Sequence, residues 1–506
     1  MKNNEYKRYV RLGVAVTFLA MLCIVPCATL EAQVAQSTQY YFPNSQGVNV
    51  IVRESATGVP VIYYRALSST RFAYGDLSTG SVKEFSINDT ILVGNRHIRT
   101  IVNDMRVIGD MCYFCGYRVY VHNEYDPATG ATIIDSIGIL GRFYLDPSGV
   151  LAPDRYDIRL INDTKCLNRM ATHTSRGDTM IVMTGIVSTA YSSSSVSCLA
   201  VARVRNTSSP DSWKYNVAYT GSNSEEVFTD IAIDTRYVVV ASYRKVAGDE
   251  YSFYLRSAKR EDVLVDDDYT DFNDRYQYNT SDTCVRVARP DEAVIRLSAV
   301  PWEKKVYAAF ACSMSSCNGG LYNTALCEIS TNNMSLNNIQ VVQKLYSTPS
   351  TLVDTKYLYK TYGDASGAFV ALLHQPEGTY STVVEYPCAL VSSYPSVVPV
   401  ALVQRMADYR IQSMSALGGS VNDIRFGGMK RSAAYLTYLQ EMMPAMSSVN
   451  QCMENSEADV LVIEDSQVPN AADISLMRIY NTMQPLVWET KNVGLEAVIV
   501  NKICSY

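Results

Sequence analysis

Histidine and tryptophan are scarce in this 506-residue chain, with four and three copies. The histidines, His97, His122, His173 and His374, are scattered, and no H-E-x-x-H pattern places two on one helix face, so hydrolytic zinc lacks its usual ligand spacing. A G-x-S-x-G nucleophile elbow is missing too: Gly363-Asp-Ala-Ser-Gly367 carries its serine one place late and fits a hairpin turn. No stretch concentrates Lys or Arg, and the net charge is −6. Without a basic footprint to displace counterions from phosphates, nucleic acid is excluded as a partner. Beyond the N-terminal region no apolar run approaches the ~20 residues of a spanning helix, so no transmembrane segment is expected once a leader is removed. What the chain has instead is strand chemistry: Val, Thr, Ser and 37 tyrosines dominate its periodic segments.

The N terminus sets Lys2, Lys7, Arg8 and Arg11 against one Glu5, then runs uncharged from Leu12 to Ala28. This is the layout of a secretory signal peptide, assigned to residues 1–32, with cleavage near Ala32 and Ala28 as the second choice. An uncleaved anchor is the alternative. A lipoprotein is disfavoured, because Leu22 and Pro26 precede Cys23 and Cys27 where small residues belong. Residues 33–506 are therefore expected to be secreted, periplasmic or on the outer cell surface. Of thirteen cysteines, Cys23 and Cys27 fall in the leader, and the odd remainder leaves at least one unpaired within the chain. The tightest disulfide candidate is Cys312 with Cys317, with Cys327 competing for either; the alternative is that these are small buried hydrophobes.

One unit recurs six times: an alternating segment, a turn, then a hydrophobic run ending in Ala, Gly or Cys. The copies run from Met105–Ile108 through Gly109-Asp110 to Met111–Gly116, and from Arg176-Gly-Asp178 into Met180–Gly185. Further copies turn at Asp234–Arg236, Pro301–Lys305, Gly363–Gly367 and Gly418–Ser420, the last leading into Ile424–Gly427. Each reads as a β-hairpin. With Tyr113, Ile181, Val238, Val306, Val370 and Phe426 as equivalent points, the step is ~55 to 70 residues, longer than compact propeller repeats, and the excess belongs in loops. A hairpin cannot bury its apolar face alone, and radial repetition both creates a core and protects edges. The fold expected is all-β: a β-propeller with six internal units and a seventh closed by Val48–Val52 and Leu495–Val500. Six or eight blades, or tandem β-sandwich domains, are the alternatives. One stretch departs from the pattern. Ser432–Met446, rich in Ala, Leu and Met, is expected to form a helix ending at Pro444.

The string Asp104-Met-Arg-Val-Ile-Gly-Asp-Met-Cys-Tyr-Phe-Cys-Gly116, with Ile139-Leu-Gly-Arg-Phe143 after it, resembles uncharacterised exported bacterial proteins with propeller-like repeats. The resemblance implies export and repetition and carries no activity.

Candidate chemistry is thin. Cys112 and Cys115 form a C-x-x-C, but in a strand-like run, where residues three apart point to opposite faces, against a redox pair. A structural zinc site joining them to Cys312 and Cys317 would bridge distant units. Ser209-Pro-Asp211-Ser-Trp213 begins like a sialidase Asp box but lacks its glycine and brings its tryptophan early. The densest carboxylates, Asp266 to Asp274, make Asp266, Asp268 and Asp271 the one metal site to name, a calcium loop. Without a glycine or a terminal Glu to fix an oxygen cage, a solvated acidic loop is expected and no cofactor is required. Export, repetition and abundant Tyr point to a non-catalytic binding or scaffolding protein of the bacterial cell surface, with a protein or carbohydrate partner. The alternative is a carbohydrate-active propeller enzyme using dispersed Asp and Glu, and carboxylate placement near the ring axis separates the two.

Overall fold

The hydrophobic runs become antiparallel strands, and those at Met111–Gly116, Met180–Gly185 and Tyr237–Ala241 are buried on both faces, which is why they read as runs and not as simple alternation. On the strand from Met111, Cys112 and Phe114 enter one core cluster while Tyr113 and Cys115 enter another. The computed structural model describes the strands named below and residues 50, 55, 58, 59, 77, 89, 109, 110, 145, 234–236 and 260. The leader 1–32, Cys317 and the Asp266, Asp268, Asp271 loop lie outside the described residues.

The chain opens with β1 (Ser37–Phe42) and then forms four-stranded units in succession. Unit 1 is β2 (Ile51–Glu54), β3 (Pro60–Ala66), β4 (Ser69–Asp76) and β5 (Ser81–Asn88). Unit 2 is β6 (Arg96–Ile108), β7 (Met111–Tyr125), β8 (Thr132–Tyr144) and β9 (Tyr156–Ile161). Unit 3 is β10 (Thr164–Ser175), β11 (Asp178–Ser188), β12 (Ser195–Arg205) and β13 (Trp213–Thr220). Unit 4 is β14 (Glu226–Ile233), β15 (Tyr237–Ala247), β16 (Glu250–Lys259) and β17 (Gln277–Thr280). Unit 5 is β18 (Ile295–Ala299), β19 (Lys305–Ser313), β20 (Tyr322–Ser330) and β21 (Ser335–Gln343). Unit 6 is β22 (Thr351–Tyr359), β23 (Gly367–Glu377), β24 (Ser381–Val391) and β25 (Val400–Ala407). Unit 7 takes β26 (Tyr409–Ala416), β27 (Ile424–Lys430) and β28 (Leu436–Met442) from this end of the chain and β1 from the other.

The first strands of successive units touch in order, β2 to β6, β10, β14, β18, β22 and β26, and β26 touches β2, so the series returns to its start. Core clusters lie between units. Between units 1 and 2, Phe85 and Phe143 stack at 4.5 Å, with Phe72 at 4.8 Å from Phe114.

The remaining strands are β29 (Glu454–Ile463), β30 (Asn470–Ala471), β31 (Leu476–Ile479), β32 (Gln484–Pro485), β33 (Val493–Val498) and β34 (Asn501–Ser505). They lie on the fourth strands of the units in reverse order. β29 pairs its first half with β25 and its second with β21, and β30 to β34 pair with β17, β13, β9, β5 and β1 in turn. Among the described residues this gives five five-stranded sheets and one nine-stranded sheet, in which β29 joins units 5 and 6.

All six recurring hairpins are the first two strands of units 2 to 7. Gly109 at φ +57° makes the two-residue turn between β6 and β7. Asp234 Oδ1 accepts the N–H groups of Arg236 at 2.6 Å and Tyr237 at 2.5 Å to make the turn before β15.

One expectation is corrected. Within the stretch expected to be a helix, Leu436–Met442 is β28, paired with β27 on one side and β1 on the other. Helix propensities differ by at most ~0.7 kcal/mol among ordinary residues, and ladders on both edges outweigh them. The unit outside the six hairpins is unit 1, and the two expected end segments do meet on it: Ile51 and Val52 lie in β2 at one edge and Leu495–Val498 in β33 at the other, with β33 an added fifth strand, while a further joining of the ends, β1 beside β28, completes unit 7.

Candidate functional site

The first strands carry a recurring arrangement of charged side chains. Ladder irregularities fall at Val102/Asp104 on β6, Leu167/Arg169 on β10, Phe228/Asp230 on β14, Leu352/Asp354 on β22 and Ile411/Ser413 on β26. A β-bulge leaves one residue unpaired and re-aims the next. The extra residue crowds the second strand, which explains the small residues there: a Cβ on Gly116 would sit 2.0 Å from the Ile101 carbonyl oxygen, and one on Gly185 2.4 Å from that of Cys166.

The re-aimed side chains reach the first strand of the next unit. Asp104 Oδ2 accepts the Met170 N–H at 3.1 Å, Asp230 Oδ2 accepts that of Leu297 at 2.8 Å, and Ser413 Oγ accepts that of Val52 at 2.9 Å. Each aspartate turns its other oxygen to the N–H of its own successor, Met105 or Ile231, at 2.9 Å. The extra residue often contributes a second stitch. Asn103 Nδ2 donates to the Leu167 carbonyl at 2.8 Å, and Gln412 Oε1 accepts from the Val50 N–H at 2.9 Å.

Placed by these stitches, Asp104, Arg169, Asp230, Arg296 and Asp354 occupy equivalent positions on five successive units, so acid and base alternate around the series. Ser413 and Ile51 hold the same position in units 7 and 1. Arg296 Nη1 donates back to the Thr229 carbonyl at 3.3 Å.

The two described aspartates differ electrostatically. Burial pushes the Asp104 carboxyl up, but Arg106 at 2.8 Å, Arg53 at 2.9 Å and the charge of Arg169 outweigh it and hold it below the usual carboxylate range. Burial also pushes Asp230 up, and there Arg169, Arg296 and two backbone N–H groups do not compensate, so it stays above that range. Both carboxylates spend both oxygens on the chain itself. What these bonds do is hold adjacent units in register.

A second junction uses Asp89. Its oxygens accept from the Thr100 N–H at 3.0 Å and the Thr70 hydroxyl at 3.1 Å, tying β4 to β6, and burial pushes its pKa up to about 6. Within unit 4, Arg256 is buried against Glu226, donating from Nε at 2.6 Å, and Glu226 also accepts from Ser242.

Sequence reasoning missed every one of these residues. Their signal is an apolar residue, any residue, Asp, Arg or Ser, then a residue returning to the ladder: Val102-Asn-Asp-Met105, Leu167-Asn-Arg-Met170, Phe228-Thr-Asp-Ile231, Leu352-Val-Asp-Thr355 and Ile411-Gln-Ser-Met414. The residues it did name are dispersed. Cys112 and Cys115 are buried thiols in separate core clusters on opposite faces of β7, with burial pushing both up in pKa, so the C-x-x-C is not a redox pair. Cys312 lies one residue before the end of β19, opposite Asn323. Among the described residues no three His, Cys, Asp or Glu side chains gather as metal ligands, and no helix is long and apolar enough to cross a membrane. Of the described tyrosines, Tyr40, Tyr63, Tyr64, Tyr74, Tyr113 and Tyr307 are buried.

No protein-family model matches the chain, and no curated protein matches it. Among solved structures, it is similar to a sialidase of Trypanosoma rangeli in complex with sialic acid, at 8% identity and a TM-score of 0.32, over 81% of this chain and 59% of that one. It is also similar to the extracellular domains 1–2 of Drosophila semaphorin 1a, at 9% identity and a TM-score of 0.27, over 79% of this chain and 87% of that one. The match thus spans under two thirds of the sialidase, and at these TM-scores the chain resembles both proteins only loosely.

Proposed function

We propose that this chain is a seven-bladed β-propeller, exported to the bacterial cell surface, where it serves as a non-catalytic binding or scaffolding protein. The observation that carries the proposal is the return of first-strand contacts from β26 to β2, combined with the use of first-strand carboxylates as stitches between units. A propeller glycosidase needs paired carboxylates facing a substrate near the axis. Here Asp104 and Asp230 face neighbouring backbone and guanidinium groups instead. A rigid ring stitched this way holds its end loops in fixed relation, which suits presenting a surface to a protein or carbohydrate.

The test pairs localisation with activity. Cell fractionation should recover the protein outside the cytoplasm, with an N terminus near Gln33. The purified protein, applied to a glycan and surface-protein array and then to the same glycans in a hydrolysis assay, should retain ligand and release no sugar. Intact Met1 in a membrane fraction would overturn the cleavage, and sugar release abolished by one Asp→Asn or Glu→Gln change would overturn the non-catalytic role.

A further inference from the structure

The C-terminal strands are additional to the units they lie on. β1 to β28 already supply four strands to every unit and close unit 7 with β1. β29 to β34 then pass the units in reverse order, each pairing with the outermost strand. An outermost strand left bare presents unpaired N–H and C=O groups, a template for any other extended chain. The seven outer strands thus form an acceptor track, and β29 to β34 are its strand donors.

We infer that this donor segment peels from the track and that the vacated track accepts the same segment of a second copy of this chain. Several observations carry it. β30 to β34 each pair with one unit along one edge only, as fifth strands, and β29 divides its length between units 5 and 6. Two of the contacts, β30 and β32, are two residues long. Short ladders of this kind are marginal in isolation, so release proceeds unit by unit and does not require the ring to unfold. The occupant is a second copy because the register is written into the backbone pairing: the segment that fits β5 as Val493↔Ile87 to Val498↔Val82 fits the same strand of another chain identically. In one chain the tether gives a high local concentration and the segment closes on its own ring, while at high protein concentration the exchange yields swapped assemblies.

The test uses the full chain. Hydrogen exchange followed by mass spectrometry should show amides of β29 to β34 exchanging at least tenfold faster than those of β6 to β8. In a Leu495→Pro/Glu496→Pro variant, one of two adjacent prolines must fall on a ladder-bonded N–H, because those alternate along an antiparallel edge, so β33 is released. That variant should bind a synthetic peptide of residues 491–506 at least tenfold more tightly than the unaltered protein, and a reversed-sequence peptide should not bind. Exchange of the segment and the ring in one cooperative event would overturn the proposal even if the variant failed to fold. So would a folded variant that takes no peptide, or one that takes the reversed peptide equally well.

Discussion

Asp104 and Asp230 hold equivalent places and make the same two backbone bonds, yet replacing them with Asn should have unequal consequences. Asp104 is buried against Arg53, whose side chain is 11% exposed, and Arg106, at 29%. Asp104→Asn keeps the shape and one acceptor but removes the charge that two guanidiniums face. Breaking a buried ion pair costs roughly 3 to 5 kcal/mol, and the partial exposure of Arg106 places Asp104→Asn near the lower end, at about 3 kcal/mol. Asp230 has no guanidinium bonded to it among the contacts described above, and burial disfavours its charged form. Asn there resembles the protonated acid and should shift stability by no more than about 1 kcal/mol, the worth of one altered hydrogen bond. Urea unfolding at pH 7, at unchanged slope, measures both. pH separates them further. Asp104, held below its ordinary range, contributes stability that is present above the unfolded-state pKa and lost as pH falls through its depressed value. Asp230, held above, contributes stability that is present below the unfolded-state pKa and lost as pH rises through its raised value. An Asp104→Asn protein within 0.5 kcal/mol of the parent, or one more stable than Asp230→Asn, would refute the stitch electrostatics (that threshold being about the spread of neutral surface substitutions).

Asp89 titrates at about 6 against an ordinary 3.8. Its contribution should be present below pH 4 and lost as pH rises through 6, on the order of 3 kcal/mol, and Asp89→Asn should abolish that part of the pH–stability profile. Gly116→Ala places a Cβ 2.0 Å from the Ile101 carbonyl oxygen and should cost at least about 2 kcal/mol by thermal or urea unfolding, since the atom it meets is backbone. Gly109→Ala has open space and should cost about 1 kcal/mol for its left-handed φ alone. With a thiol reagent and peptide mass mapping, Cys166, half-buried and pushed up to about 11, should label before Cys112, Cys115 and Cys198, which should wait for unfolding.

The six hairpins were legible because strand, turn and strand are contiguous and each turn has its own chemistry, Gly109 by its φ and Asp234 by its side chain. What sequence could not convey is pairing at a distance. Leu436–Met442 has the composition of a helix and becomes a strand because β27 and β1 flank it, and β1 comes from the far end of the chain. β30 and β32 are too short to show any period, and their extended form is imposed by the edges they meet. The stitching residues were hidden for another reason. A bulge interrupts the two-residue period just where Asp104 and Asp230 lie, so a search for alternation steps over them, although the three-residue pattern ending in Asp, Arg or Ser was there to be found.

The partnership of β1 with β28 fixes the order in which the molecule can be made. Synthesis runs from the N terminus, so β1 emerges well before its partner Leu436–Met442. Val52 likewise waits for Ser413, 361 positions away. Through that interval units 1 to 6 can assemble one after another, each on its predecessor, while the first strand stays without a mate. Contacts of such long sequence separation slow folding and leave partly built species with open edges. The rate-limiting event is therefore the final meeting of the two ends, and a chain stopped before residue 442 is an unclosed arc carrying one unmatched strand at its start.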